Sequence, residues 1–355
     1  MYRKLFTPGP THVRDKILEA QAAPIVHHRA PEYSQLQKEV TEKLQRLLYT
    51  EQRVYLYTSS STGMMEGSIR QASNKKILNT VCGAFSERWH TICEANGVPS
   101  ETVEVEWGQA ITPELVDEAL STGEYDALTV VFNETSTGLL NPIGEIAELV
   151  HEKYPDVLIL VDAVSGMAGA KLEFDAWGID VALAGTQKCF AMPPGLTIVA
   201  VSDRARERAL TVPNRGYYFT YEQMDKKYEK HQTRATPCIS LIEALNVQLD
   251  DMMVLGLDNR WKRHQEMAEF VQGWAREHFG LFSDENYLSP TVTNVKNTRG
   301  ISVADLNAEL ALRGAQISNG YGPLKEKCFR IAHMGDLTLT DLQWLTEQID
   351  DILDL

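Results

Sequence analysis

Asp180-Val-Ala-Leu-Ala-Gly-Thr-Gln-Lys188-Cys-Phe-Ala-Met-Pro-Pro-Gly195 is the stretch on which the fold turns. An apolar run too short for a globular helix ends in Gly-Thr-Gln, delivers one lysine, and is stopped by Pro193-Pro194-Gly195. That is the pattern of a buried strand running into a loop at its carboxyl end. A lysine in that place can snorkel to water, pair with a carboxylate, lose its charge, or be consumed covalently. The covalent use is a Schiff base with a carbonyl cofactor, for which a desolvated amine is well suited.

Working outward, Val157-Leu-Ile-Leu-Val-Asp162-Ala-Val-Ser165-Gly166 is a second apolar run that ends in a charged residue. Ligands collect at the carboxyl ends of strands in open α/β sheets. Asp162 precedes Lys188 by 26 residues, the spacing of neighbouring strands after a short connection. Alone, Asp162 also fits a helix cap on the turn that follows. A pyridoxal phosphate enzyme needs this pair: the lysine forms the imine, and an acid keeps the pyridine nitrogen protonated. Together the two segments favour that cofactor.

Composition excludes several alternatives. The chain has 355 residues, enough for a large domain and a smaller partner, with 43% apolar and 23% charged residues, as in ordinary globular proteins. A net charge of −15 leaves no basic excess for a phosphate backbone, so nucleic acid is excluded as a partner. The five cysteines are scattered and none forms a C-x-x-C pair, so neither zinc nor a disulfide framework is indicated and a reducing cytoplasm is expected. The N-terminus reaches Pro8-Gly9-Pro10 without the apolar core of a signal peptide. No apolar run of about 18 residues exists to span a membrane.

Strand candidates fall at 54–57, 76–81, 101–105, 127–132, 157–162, 181–184 and 197–201, with helical stretches between them. Such alternation predicts an α/β fold with a mostly parallel sheet covered on both faces. A polar, aromatic stretch at 214–237 interrupts the pattern, as functional or interface loops do. After helices at 239–255 and 259–278, the order strand (291–296), helix (303–313), strand (328–332), helix (340–352) indicates a small α+β domain. The division is therefore 1–15 as an N-terminal segment, 16–258 as the large domain and 259–355 as the small one.

The order of motifs resembles the class V, fold-type I aminotransferases, the group containing serine–pyruvate and alanine–glyoxylate aminotransferases. The resemblance runs from Thr7-Pro-Gly-Pro10 to Phe329-Arg330-Ile331, and Val-Asp-Ala-Val-Ser and Gly-Thr-Gln-Lys are its most specific parts. Glu134-Thr-Ser-Thr-Gly138 and Thr236-Pro237 are weaker ones. It implies a seven-stranded sheet in the large domain and transamination with pyridoxal 5′-phosphate. Lys188 and Asp162 are then catalytic. Phosphate contacts fall on Ser60, Ser61 and Thr62, between a strand and a helix start where free N–H groups converge, and on Gln187. Phe85 becomes the platform under the pyridine ring, and Ser136 approaches the cofactor's phenolic oxygen or the imine. Thr236 crosses into the partner subunit's phosphate site, which implies a homodimer with shared active sites. Arg330 grips the substrate α-carboxylate, and Gly9 lines the substrate pocket through backbone. The implied substrates are a small amino acid of serine, alanine or aspartate type and a 2-oxo acid such as pyruvate or glyoxylate, exchanged by ping-pong.

Two rivals use the same fold. Phosphoserine or 2-aminoethylphosphonate transamination needs further cations, and His27, His28, Arg29 and Arg234 are the candidates. A desulfurase or other lyase needs a mobile nucleophilic cysteine in the distal chain, where Cys328 adjoins a strand. A nucleotide-binding oxidoreductase would carry G-x-G-x-x-G after its first strand, and none is present.

Overall fold

A computed structural model describes residues 3–355, so the first two residues of the expected 1–15 segment lie outside it. The large domain is built on seven strands: β1 (Arg53–Thr58), β2 (Lys76–Val81), β3 (Ser100–Glu104), β4 (Tyr125–Val131), β5 (Leu158–Asp162), β6 (Val181–Gly185) and β7 (Leu196–Val201). Their order across the sheet is β1-β7-β6-β5-β4-β2-β3. All pairings are parallel except those of β7, which runs antiparallel to both β1 and β6. Residues 186–195, between β6 and β7, are too few for a crossover helix, so β7 must return antiparallel.

Alternation along the strands builds two cores. Val54 and Leu56 of β1, with Ile159 and Val161 of β5, face the larger core that helices Pro31–Leu48, Ile143–Lys153 and Ile239–Leu255 cover. Tyr55, Tyr57, Leu158 and Leu160 face the other core, with helices Ser61–Ala72 and Ala84–Asn96. Successive side chains leave a strand on opposite faces, so continuous apolar runs bury both.

The small domain pairs β8 (Val292–Lys296), β9 (Ser318–Asn319) and β10 (Cys328–Ala332) antiparallel, with β10 in the middle. Its own core includes Trp274, Phe329 and Leu345. The N-terminal segment is fastened here: Lys4–Leu5 pairs with Ala315–Gln316, and Phe6 is fully buried in the same core. Between the large and small parts, helix Leu257–His278 starts after Gly256, whose φ of 84° favours glycine. Among the described residues no helix is long and apolar enough to cross a membrane.

Candidate active site

The carboxyl ends of β1, β2, β4, β5 and β6 converge on a cleft of about 240 Å³. Asp162 ends β5, is 5% exposed, and accepts a hydrogen bond at 2.9 Å from the Val164 N–H. Burial pushes its carboxyl up to about 6 despite that bond. Lys188 follows β6 through Thr186 and Gln187, and its ammonium donates to the Pro8 carbonyl. Burial, and after it the positive field of Arg330, pulls Lys188 down to about 8. Near neutral pH a fraction of this amine is therefore uncharged and nucleophilic, and the fraction rises with pH.

Three contacts hold Lys188 in place. The Gln187 carbonyl accepts from the Thr11 N–H at 3.0 Å, tying the N-terminal segment to the loop. Arg260, 1% exposed, donates to the Cys189 carbonyl at 2.6 Å and to the Ala168 carbonyl at 2.7 Å. Gly9, at φ 133°, leaves room for the lysine: a Cβ there would lie 2.5 Å from its Cδ, Cε and Nζ.

Ser60, Ser61 and Thr62 line the cleft at the start of helix Ser61–Ala72, opposite Gln187. The Ser60 hydroxyl makes no capping bond, and the buried Ser61 Oγ has no hydrogen-bond partner among the described residues. A Cβ on Gly185 would meet Ser61 Oγ and Gln187 Oε1 at 2.5 Å, so the bare glycine lets these polar groups crowd together. Phe85 lines the same cleft, its ring centroid 5.9 Å from Lys188 Nζ.

Three of the expected residues do not line this cleft. Ser136 does not line the cleft: its hydroxyl donates to Glu134 Oε1 at 2.6 Å and accepts from the Ala84 N–H at 3.0 Å. The Glu134 carboxylate, buried to cap helix Ala84–Asn96 through the Phe85 and Ser86 N–H groups, draws Ser136 away, and Thr135 takes the cleft position. Arg330 stands on β10, 7% exposed, beside the cleft rather than in its lining, and donates to the Asn319 and Thr135 carbonyls at 3.1 and 3.4 Å. Thr236 lies in a separate hollow with Tyr57, Thr58 and Tyr217. Of the rival cations, Arg29 is spent on the Thr233 and Arg234 carbonyls, Arg234 contacts Gln223, and none of His27, His28, Arg29 or Arg234 faces the cleft. Cys328 is 1% exposed within β10, and burial pushes its thiol up to about 11, so it is no mobile nucleophile.

Besides Thr135, the cleft residues not singled out from the sequence include Arg88 and Asn133. Arg88 lies one helical turn beyond Phe85, with its guanidinium 4.8 Å from that ring, and makes no ion pair among the described residues. Asn133 has its carbonyl oxygen held by the Ser289 hydroxyl, and its buried Nδ2 has no partner among the described residues. Its place directly after β4, at a carboxyl end, was the available signal.

The family model for class-V aminotransferases matches residues 12–333. The chain belongs to that family. An uncharacterised aminotransferase of Methanocaldococcus jannaschii is 39% identical over 93% of this chain and 87% of its own length. The L-aspartate–glyoxylate aminotransferase of Paracoccus denitrificans is 31% identical over 94% and 87%. The crystal structure of alanine–glyoxylate aminotransferase from Nostoc sp. superposes with a TM-score of 0.93 at 27% identity, covering 99% of this chain and 96% of that one.

Class-V aminotransferases are pyridoxal phosphate-dependent enzymes that transfer amino groups, and so is this one. Its cleft fits the cofactor on its own observations. Ser61 Oγ and Asn133 Nδ2 are buried without partners among the described residues, the Ser60–Thr62 helix start is suited to an anion, and the buried Asp162 carboxyl suits a cationic partner.

Proposed function

We propose that this aminotransferase moves the amino group of a small α-amino acid, of the serine, alanine or aspartate kind, to a short 2-oxo acid such as glyoxylate or pyruvate. The cycle is ping-pong and belongs in the cytoplasm, where the free cysteines stay reduced. The observation that carries this reading is a lysine whose amine is lowered to about 8, in one cleft with Asp162 and beside an arginine lacking a carboxylate partner among the described residues. The names of the relatives support the choice of donor and acceptor.

Each residue then has a task. Ser60, Ser61, Thr62 and Gln187, which line the cleft, would hold the phosphate, and Phe85 would support the ring. Asp162 keeps a proton on the ring nitrogen. When bound, pyridoxal phosphate supplies an aldehyde for the Lys188 amine and a ring that accepts the electrons of the broken Cα–H bond. With the cofactor bound, the Lys188 amine would serve as the base that takes the α-proton and the acid that gives it back. Arg330 grips the α-carboxylate bidentately.

Arg330→Lys tests this most directly, because an ammonium cannot supply two parallel donors. Charge-assisted bonds contribute roughly 1.5–3 kcal/mol, so kcat/KM should drop about ten- to a hundredfold. The drop should be equal for every amino donor, and the visible spectrum of the resting enzyme should not change. A loss confined to one donor would assign Arg330 to specificity instead.

We also infer a homodimer. Thr236 sits apart from the Lys188 cleft of its own chain, as a residue serving a partner's site would. Exposed Tyr217 and Tyr218, on the same stretch, supply apolar area for burial. Light scattering at assay concentration should give twice the 39.9 kDa chain mass. An active monomer would end the assignment of Thr236.

A further inference from the structure

Tyr321 lies between the two halves of the site and has no part in the chemistry above. Its ring centroid is 5.1 Å from that of Phe85, on the large domain, and 5.5 Å from the Arg330 guanidinium carbon, on the small one. It is 36% exposed and, although not in the lining of the cleft, packs against Phe85, which is. Its hydroxyl has no hydrogen-bond partner among the described residues, so the ring rather than a polar bond holds it there.

The loop that presents Tyr321 is tightly specified. A Cβ on Gly320 would lie 2.0 Å from the Leu324 carbonyl oxygen, and Gly322 has φ +52°. The Asn319 side-chain carbonyl accepts from the Gly320 and Glu326 N–H groups, both at 2.8 Å, closing the loop at its base. An aromatic ring between two conformationally demanding glycines is thus placed against the carboxylate arginine, not left on a free surface.

A donor held by its carboxylate on Arg330 and reacting beside Phe85 would lie within reach of this ring, which contacts both residues. We propose that Tyr321 is the specificity-determining residue of this aminotransferase, an aromatic wall that admits short amino-acid side chains and turns away branched or aromatic ones. The inference rests on Arg330 being the carboxylate site. It names the donor class, small amino acids, by steric exclusion.

The test compares holoenzyme of the parent with Tyr321→Ala and Tyr321→Phe. Using glyoxylate as acceptor, kcat/KM is measured for alanine, leucine and phenylalanine. Calorimetry gives the affinities of the unreactive acids propionate, isovalerate and hydrocinnamate. A pocket's discrimination of one or two carbons is worth about ten- to two-hundredfold. Tyr321→Ala should therefore raise the leucine-to-alanine ratio at least about tenfold and tighten isovalerate and hydrocinnamate relative to propionate. Tyr321→Phe should keep the parent's preference, because the ring and not the hydroxyl excludes. Parallel losses for all donors and acids in Tyr321→Ala, or unchanged ratios, would overturn the proposal. The calorimetric arm needs no turnover, so absence of transamination in the parent would sink the proposed function while still deciding the role of Tyr321.

Discussion

Lys188→Ala is expected to yield a folded protein with transamination reduced by at least about 10⁴-fold, because the proposed mechanism makes one side chain both covalent anchor and proton carrier. The fold should survive. Lys188 lies after β6, not within it, and the strand's own ladder to β5 and β7 is untouched. The cleft keeps Ser60, Ser61, Thr62 and Gln187, so the variant should still bind cofactor through its phosphate. Borohydride should fix the cofactor on the parent and leave it removable by dialysis from the variant. In the cofactor-free parent, Lys188 carries its proton below about 8 and sheds it above, so capture of pyridoxal phosphate should quicken as pH rises through that value. The variant should show no such rise. Turnover near the parent's rate would remove Lys188 from the mechanism.

Asp162→Asn should retain cofactor and lose most activity. The buried carboxyl, raised to about 6 in the protein alone, would gain a matched partner if, as proposed, a protonated ring nitrogen lies against it. An asparagine oxygen can still accept from the Val164 N–H, so the turn after β5 should persist. A neutral amide no longer favours the ring proton. An adjacent opposite charge is worth about 1–3 pKa units, at about 1.4 kcal/mol each, so the half-reaction should slow about 10- to 1000-fold. The check is single-turnover absorbance with saturating amino donor. A rate within a few-fold of the parent's would make Asp162 a structural cap.

The strand pattern and the two central residues were legible in the chain because their causes are local. Apolar runs at 157–162 and 181–184 are buried on both faces, and they became β5 and β6 with Asp162 and Lys188 at or beyond their carboxyl ends. Burial of a continuous run needs no knowledge of what covers it. The direction of β7 was equally implicit in the short 186–195 connection, though only strand pairing displayed it.

What the tertiary structure decided is where neighbouring polar groups point and what distant segments bring. Thr135, not Ser136, faces the cleft, because the Glu134 carboxylate turns aside to cap a helix that begins some 50 residues earlier. The freed donor of Asn133 depends on Ser289, just before the first strand of the small domain. The N-terminal Lys4–Leu5 strand joins the small domain through Ala315–Gln316, which no pattern in either segment announces. Tyr321 meets Phe85 only because the two domains close on each other. Periodicity records how each segment buries itself; the orientation of a hydroxyl or ring is set by partners far along the chain, and those exist only once the chain has folded.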